Sequence, residues 1–231
     1  YDEQMRNVIL DRREDLARKS EIAIQIIKSL DFNVTDEQLV KSALYPQNVT
    51  PQPGQIATAL ARIAASVDNI RIITTNFDEL LESALKHYFP EGVVKSFTLS
   101  QVKQWSGWSA RGKVGVLHVH GILRQGKNRN DPELVLTESQ FLRHGVEVRK
   151  VIADAITDSV SIYVGLSLAD PNLIGSLYQV KMDHDASNTP TKIAAQGERY
   201  FIGVVDHHGS PDLEISARRA VESARSLEDM L

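Results

Sequence analysis

Apolar positions along the chain switch between two periods, and the switches mark the elements. From about residue 2 to residue 44 the spacing is helical: Met5, Val8, Ile9, Leu16, Ile22, Ile26, Ile27 and Leu30 fall on one stripe. Asp31 to Val34 interrupts it, and Thr35-Asp-Glu-Gln38 carries the capping-box pattern that restarts a short helix. Pro46, Pro51, Pro53 and Gly54 predict a loop over Tyr45–Gly54. Ile56, Ala59, Leu60, Ile63, Ala64 and Val67 then make a further amphipathic helix.

The pattern changes at Ile70. Ile70–Thr75 is a β-branched run suited to a buried strand, and Glu79 opens a helix with Leu80, Leu81, Ala84 and Leu85 on its apolar side. Pro90 and Gly92 end that helix, Val93–Leu99 reads as a short strand, and Trp105 and Trp108 read as packing anchors in an irregular segment. Val114–Gly121 predicts a second strand with polar His120 at its end. Arg124–Pro132 is a polar loop, and Thr137-Glu-Ser-Gln140 is another capping box, opening helices that run to about Asp158. Ser161–Ser167 reads as a strand, and Pro171 takes the first position of a helix through Leu173, Ile174, Leu177 and Val180. After a polar loop over His184–Arg199, Tyr200–Val205 reads as a strand and Pro211–Met230 as a closing helix.

Strands alternating with helices predict an α/β fold built on a parallel sheet with helices on both faces. Four strands end in polar clusters: Thr75-Asn76-Phe77-Asp78, His120-Gly121, Ser167 with Asp170, and Asp206-His207-His208. In a parallel sheet those ends share one edge, where open α/β folds bind ligands. Two of the clusters also have a local explanation: Asn76, Asp78 and Asp170 sit where N-cap residues satisfy the first turn of a helix.

Composition narrows the function classes. A chain of 231 residues with 42% hydrophobic and 24% charged positions can bury a sizeable core and is not of the disordered class. It holds no apolar run of membrane-spanning length and no signal-peptide pattern, so a soluble, cytoplasmic location and no membrane partner are expected. With no cysteine, disulfides, thiolate zinc sites and a cysteine nucleophile are excluded. A net charge of −4 disfavours direct nucleic-acid binding, and Arg12-Arg13, Arg18-Lys19 and Arg218-Arg219 read as solvated helix faces. His118 and His120, two apart on a strand, could share a face with a metal, and His207-His208 could add a ligand, but no carboxylate-rich loop completes the shell and no metal is expected. The start at Tyr1 reads as part of a longer natural chain.

The set Ile72-Ile-Thr-Thr-Asn-Phe-Asp78, Leu117-His-Val-His-Gly121 and Gly165-Leu-Ser167 with Asp170, in this order, resembles the sirtuin superfamily. More narrowly, it is similar to the bacterial sirtuin-like NAD-hydrolysing domains of anti-phage defence proteins. The resemblance covers about residues 55–208. Together with the apolar pattern on either side it gives an expectation of one domain over residues 1–231, with a helical N-terminal part (1–54), a core (55–208) and a C-terminal helix (209–231). It also implies a Rossmann-like sheet that takes NAD as substrate at its carboxyl edge. Carried over by position, Asn76 would hold the nicotinamide ribose or the attacking water, and His120 would be the catalytic histidine acting on the ribose hydroxyls. Asp78 would lie near the nicotinamide carboxamide, Thr75 and Phe77 beside it. Gly165, Ser167 and Asp170 would serve NAD binding, Ser167 on the adenosine side.

The chemistry suits these residue types. Cleaving the glycosidic bond of NAD builds positive charge on the ribose, which polar groups stabilise, and needs a base that titrates near working pH, as histidine does. Two departures bear on the family's activities. Sirtuin deacylases carry a four-cysteine zinc ribbon, which this chain cannot build. The family's glycine-rich phosphate loop has no counterpart upstream of Asn76, where Gly54 is the only glycine; either that loop lies before Tyr1, which is the expectation, or the chain does not bind the dinucleotide in the usual way. Three functions stay open: an NAD glycohydrolase depleting NAD in defence, an NAD-dependent deacylase, and a non-catalytic NAD- or ADP-ribose-binding or assembly module. A homo-oligomer and a regulatory or trigger-sensing partner are expected with the first.

Overall fold

The structure, a computed structural model, describes residues 16–30, 33–46, 49–68, 70–102, 113–125, 134–156, 161–165, 171–186 and 199–202. Among them the element order is α1 (Leu16–Leu30), α2 (Asp36–Leu44), α3 (Gln55–Ser66), β1 (Arg71–Thr74), α4 (Leu80–Leu85), β2 (Val94–Thr98), α5 (Leu99–Val102), β3 (Val114–His118), α6 (Glu138–Ile156), β4 (Ser161–Val164), α7 (Pro171–Ala186) and β5 (Arg199–Ile202). Contacts gather into two units, residues 1–144 and 145–231. The tryptophan segment, the loop around Lys127, Ser167, Asp170, the strand end at Asp206–His208 and the closing helix lie outside the described residues.

In the first unit β3 is the middle strand of a parallel three-stranded sheet of order β1-β3-β2, a Rossmann-like α/β arrangement. Its register aligns Thr74, Thr98 and His118 in one row at the carboxyl edge. All five residues of β3 are buried, as expected of a central strand hydrogen-bonded on both sides. Side chains alternate across a strand, so Val114, Val116 and His118 share a face. That face packs on α3 and α4 through Ala61, Ala64, Ala84 and Leu85, joined by Ile72, Leu81 and Val94.

The stripe expected on α3 is rotated. Ile56, Ile63 and Val67 are exposed, whereas Ala61 and Ala64 are buried and Ala57 packs against them. Ala57, Ala61 and Ala64 recur at helical spacing, and their small side chains let α3 approach Ala84 of α4 more closely than an isoleucine row would. On α1, likewise, Ile24 is buried and Leu30 is 69% exposed.

Both capping boxes form. Thr35 N–H donates to Gln38 Oε1 (2.9 Å) and Gln38 N–H to Thr35 Oγ1 (3.2 Å), starting α2. At α6, Thr137 N–H donates to Gln140 Oε1 (2.9 Å) and Gln140 N–H to Thr137 Oγ1 (3.4 Å). The two caps are neighbours, because Gln140 Nε2 donates to Asp36 Oδ2 at 3.5 Å. Asp36 also pairs with Lys28 of α1 at 2.6 Å.

In the second unit β4 and β5 pair in parallel, Ser161 opposite Arg199 and Val164 opposite Ile202. Gly165 leaves β4 with φ +63, a conformation that side chains disfavour. Pro171 opens α7, as its lack of an amide hydrogen allows. Buried Ser176 donates to Asn172 O (2.6 Å) within α7 and lies 3.1 Å from Arg149 O of α6. Gly175 sits against the Arg149 side chain, whose Cδ leaves no room for a Cβ.

Candidate active site

The candidate site begins where β1 and β3 run out side by side. Thr74 O accepts from Val119 N–H (3.1 Å), which extends the parallel pairing one step past the strands. Thr74 Oγ1 accepts from Asn76 N–H at 3.1 Å and turns the chain outward. Phe77 O then accepts from Leu123 N–H at 2.7 Å, so the segment after β1 is bonded to the segment after β3. Tyr45, at the mouth of the proline-rich loop, clasps both: its hydroxyl donates to Leu123 O (2.8 Å) and accepts from Glu79 N–H (3.4 Å). Arg124 reaches toward Glu79 across the same seam, 3.7 Å between Nε and Oε1.

Asn76 is exposed, and its amide side chain makes no hydrogen bond among the described residues. It therefore presents both a donor and an acceptor at the sheet edge. Asp78 is engaged in part: its Oδ1 accepts from Leu80 N–H at 3.0 Å, a turn leading into α4, whose N-cap position is Glu79 and not the expected Asp78. Thr75 and Phe77 flank Asn76 at intermediate burial. Beyond β3 the chain turns over Val119 and His120, with Gly121 at φ +92. His120 is buried against the edge of Phe141 from α6, ring centroids 4.9 Å apart and planes at 77°. Its carbonyl accepts from Val135 N–H at 2.9 Å.

His118 and His120 do not share a strand face, because β3 stops at His118 and the chain has turned by His120. His118 is instead a core residue. Nδ1 lies 2.8 Å from Asn76 O and Nε2 lies 2.7 Å from Glu82 Oε1. Glu82, on the inner side of α4, also accepts from Ser96 Oγ of β2 at 2.6 Å through the same oxygen. Burial alone would raise the Glu82 pKa. The hydrogen bond and charge of His118, the Ser96 hydroxyl and a backbone amide outweigh it and hold the carboxyl below its ordinary value of 4.5. Burial chiefly, with the nearby Asp78, Glu79 and Glu82 charges, raises Tyr45 above 10.0 against a lowering hydrogen bond from Glu79.

Neither Glu82 nor Tyr45 stands out in the sequence. A signal for Glu82 existed: a carboxylate three positions before Leu85 on the buried side of a short helix needs a cationic or donor partner. No group of three or more histidines or carboxylates suited to a metal occurs among the described residues. No helix among them is long and apolar enough to cross a membrane. Gly165 belongs to the second unit, while Ser167 and Asp170 lie outside the described residues. No curated protein matches the chain. A family model described as a SIR2-like domain matches residues 70–207, which takes in Asn76, His120 and Gly165 together.

Proposed function

We propose, from the premise that the chain belongs to the SIR2-like domain family and so to NAD-related chemistry, that it is an NAD glycohydrolase releasing nicotinamide and ADP-ribose. The reading extends to an effector role: depletion of NAD in bacterial anti-phage defence, by a homo-oligomer held in check by a regulatory or trigger-sensing partner. One observation carries it: the segments holding Asn76 and His120 are hydrogen-bonded to each other at one sheet edge, through Phe77 O and Leu123 N. The absence of cysteine, and with it of a zinc ribbon, weighs against deacylation.

In this reading the bond from ribose C1′ to the nicotinamide nitrogen breaks, and its electron pair leaves with the neutral nicotinamide. Positive charge develops on the ribose, and water adds at C1′ while losing a proton. The exposed amide of Asn76 orients the ribose or that water. His120 takes up the proton or steadies the ribose hydroxyls, tasks an imidazole can perform with its two ring nitrogens. Asp78, with one oxygen left beyond its bond to Leu80 N–H, faces the carboxamide, and Thr75 and Phe77 frame the same end. Gly165, Ser167 and Asp170 serve the remainder of the dinucleotide.

The test is chromatographic detection of nicotinamide released from NAD by the complete natural protein, with and without a candidate trigger, beside its Asn76→Ala and His120→Ala variants. Release by the parent, lowered about 100-fold or more in each folded variant, is expected. No release under any condition leaves a binding or assembly module in its place.

A further inference from the structure

We propose that His118 and Glu82 form a positioning pair that sets the presentation of Asn76 through its main-chain carbonyl; the inference rests on Asn76 being a residue that meets NAD. A carbonyl can only accept, so the ring nitrogen 2.8 Å from Asn76 O must carry the hydrogen. The other ring nitrogen faces Glu82 Oε1. Two proton arrangements satisfy that contact: an imidazolium against a carboxylate, or a neutral ring accepting from a carboxylic acid. In both, Nδ1 keeps its hydrogen. Glu82 thus fixes the ring orientation and tautomer that hold Asn76 O, as an acid orients the histidine in a catalytic triad.

The surroundings make the device rigid. Both side chains are nearly inaccessible, at 0% and 2%. His118 is anchored in the middle strand, opposite Thr74 and Thr98, and Ser96 of β2 holds the carboxylate oxygen that meets the ring. Asn76 N–H is pinned two residues back to Thr74 Oγ1 while its carbonyl is pinned to His118, so the residue is held at both ends and only its side chain points free. Both ring nitrogens of His118 are thus engaged within the fold. The residue acts through Asn76.

Amide side chains separate the two halves of the pair. His118→Gln places its amide near the former Nε2 position, keeping Glu82 partnered and dropping Asn76 O. His118→Asn places its amide near Nδ1 and keeps Asn76 O; combined with Glu82→Gln it leaves no buried charge. Glu82→Gln alone donates to Nε2 of a neutral ring and leaves Nδ1–H in place. In the complete protein, His118→Gln is expected to lower kcat on the order of 100-fold with KM for NAD unchanged, the mark of lost alignment. It should also speed amide exchange over Asn76–Asp78 while β3 amides stay protected. Glu82→Gln and the double variant should restore both readouts.

Nitrogen spectra of the parent's histidines supply a measurement that needs no variant: His118 is expected with hydrogen on Nδ1 throughout the pH range in which the fold is stable. A neutral His118 carrying hydrogen only on Nε2 overturns the proposal. So does a folded His118→Gln protein with parental exchange, or with altered exchange and parental kcat. If the parent releases no nicotinamide, the glycohydrolase reading falls by itself, and the tautomer and exchange measurements still decide whether the pair holds Asn76.

Discussion

The end of β3 and the turn just beyond it hold histidines two positions apart under opposite constraints. His118 closes a buried row, its place dictated by the strand's alternation, and both ring nitrogens are engaged, by Asn76 O and Glu82. His120 lies past the last paired residue, its ring against the edge of Phe141, in a backbone that a left-handed glycine helps to turn. The strand supplies fixed position and the turn supplies freedom to aim. A parallel sheet can thus carry a structural histidine and a candidate catalytic one almost side by side, provided the strand stops between them.

That contrast breaks most sharply at His118. Replacing it by alanine leaves the buried Glu82 carboxyl without its ring partner and frees the Asn76 carbonyl. Urea unfolding should show a loss of roughly 3–5 kcal/mol, against a smaller loss for His120→Ala, which removes an edge contact of about 0.5–1.5 kcal/mol beyond its buried area. Equal losses would erase the distinction between the two regions.

A pH series sharpens it further. The folded-state pKa of Glu82 lies below the unfolded value, so the pair's contribution is complete above the ordinary carboxylate range and is lost as pH falls through the lowered value. Stability of the parent should drop below about pH 4.5 with a slope that Glu82→Gln reduces by up to one proton, about 1.4 kcal/mol per pH unit. An unchanged slope would mean that His118 and Glu82 share a neutral arrangement.

The smallest effect belongs to the clasp between the segments. Tyr45→Phe removes the hydroxyl bonded to Leu123 O and Glu79 N–H and should cost about 0.5–1.5 kcal/mol. Tyr45 titrates above 10.0 in the fold, so the neutral phenol is the form the fold prefers; its contribution is present below that pH and lost as pH rises through the raised value. The Tyr45→Phe variant should lack that alkaline limb in a thermal-unfolding series.

Much of the frame was legible because its causes are local. Thr35 with Gln38 and Thr137 with Gln140 announce their helices from four residues each, and both boxes form. The β-branched run at Ile70 and the apolar run at Val114 announce β1 and β3, and the polar ends of those strands do lie in neighbouring segments. The packing face of α3 was not legible, since isoleucines outweigh alanines in any hydrophobic pattern whereas the close approach to α4 selects the alanines. The His118–Glu82 contact spans 36 positions and depends on strand register, which no local pattern encodes. The N-cap of α4 is Glu79 rather than Asp78, whose Oδ1 instead closes a turn onto Leu80 N–H and leaves its second oxygen for the proposed binding role.

The bond from Leu123 N–H to Phe77 O, together with the Tyr45 clasp, has a consequence for anyone wishing to transplant this edge onto another parallel sheet. Moving the Asn76 segment alone would sever it from His118, Leu123 and Tyr45 at once. The smallest portable cassette is discontinuous: Tyr45, residues 74–82, Ser96 and residues 118–123, with the receiving strands in the same register.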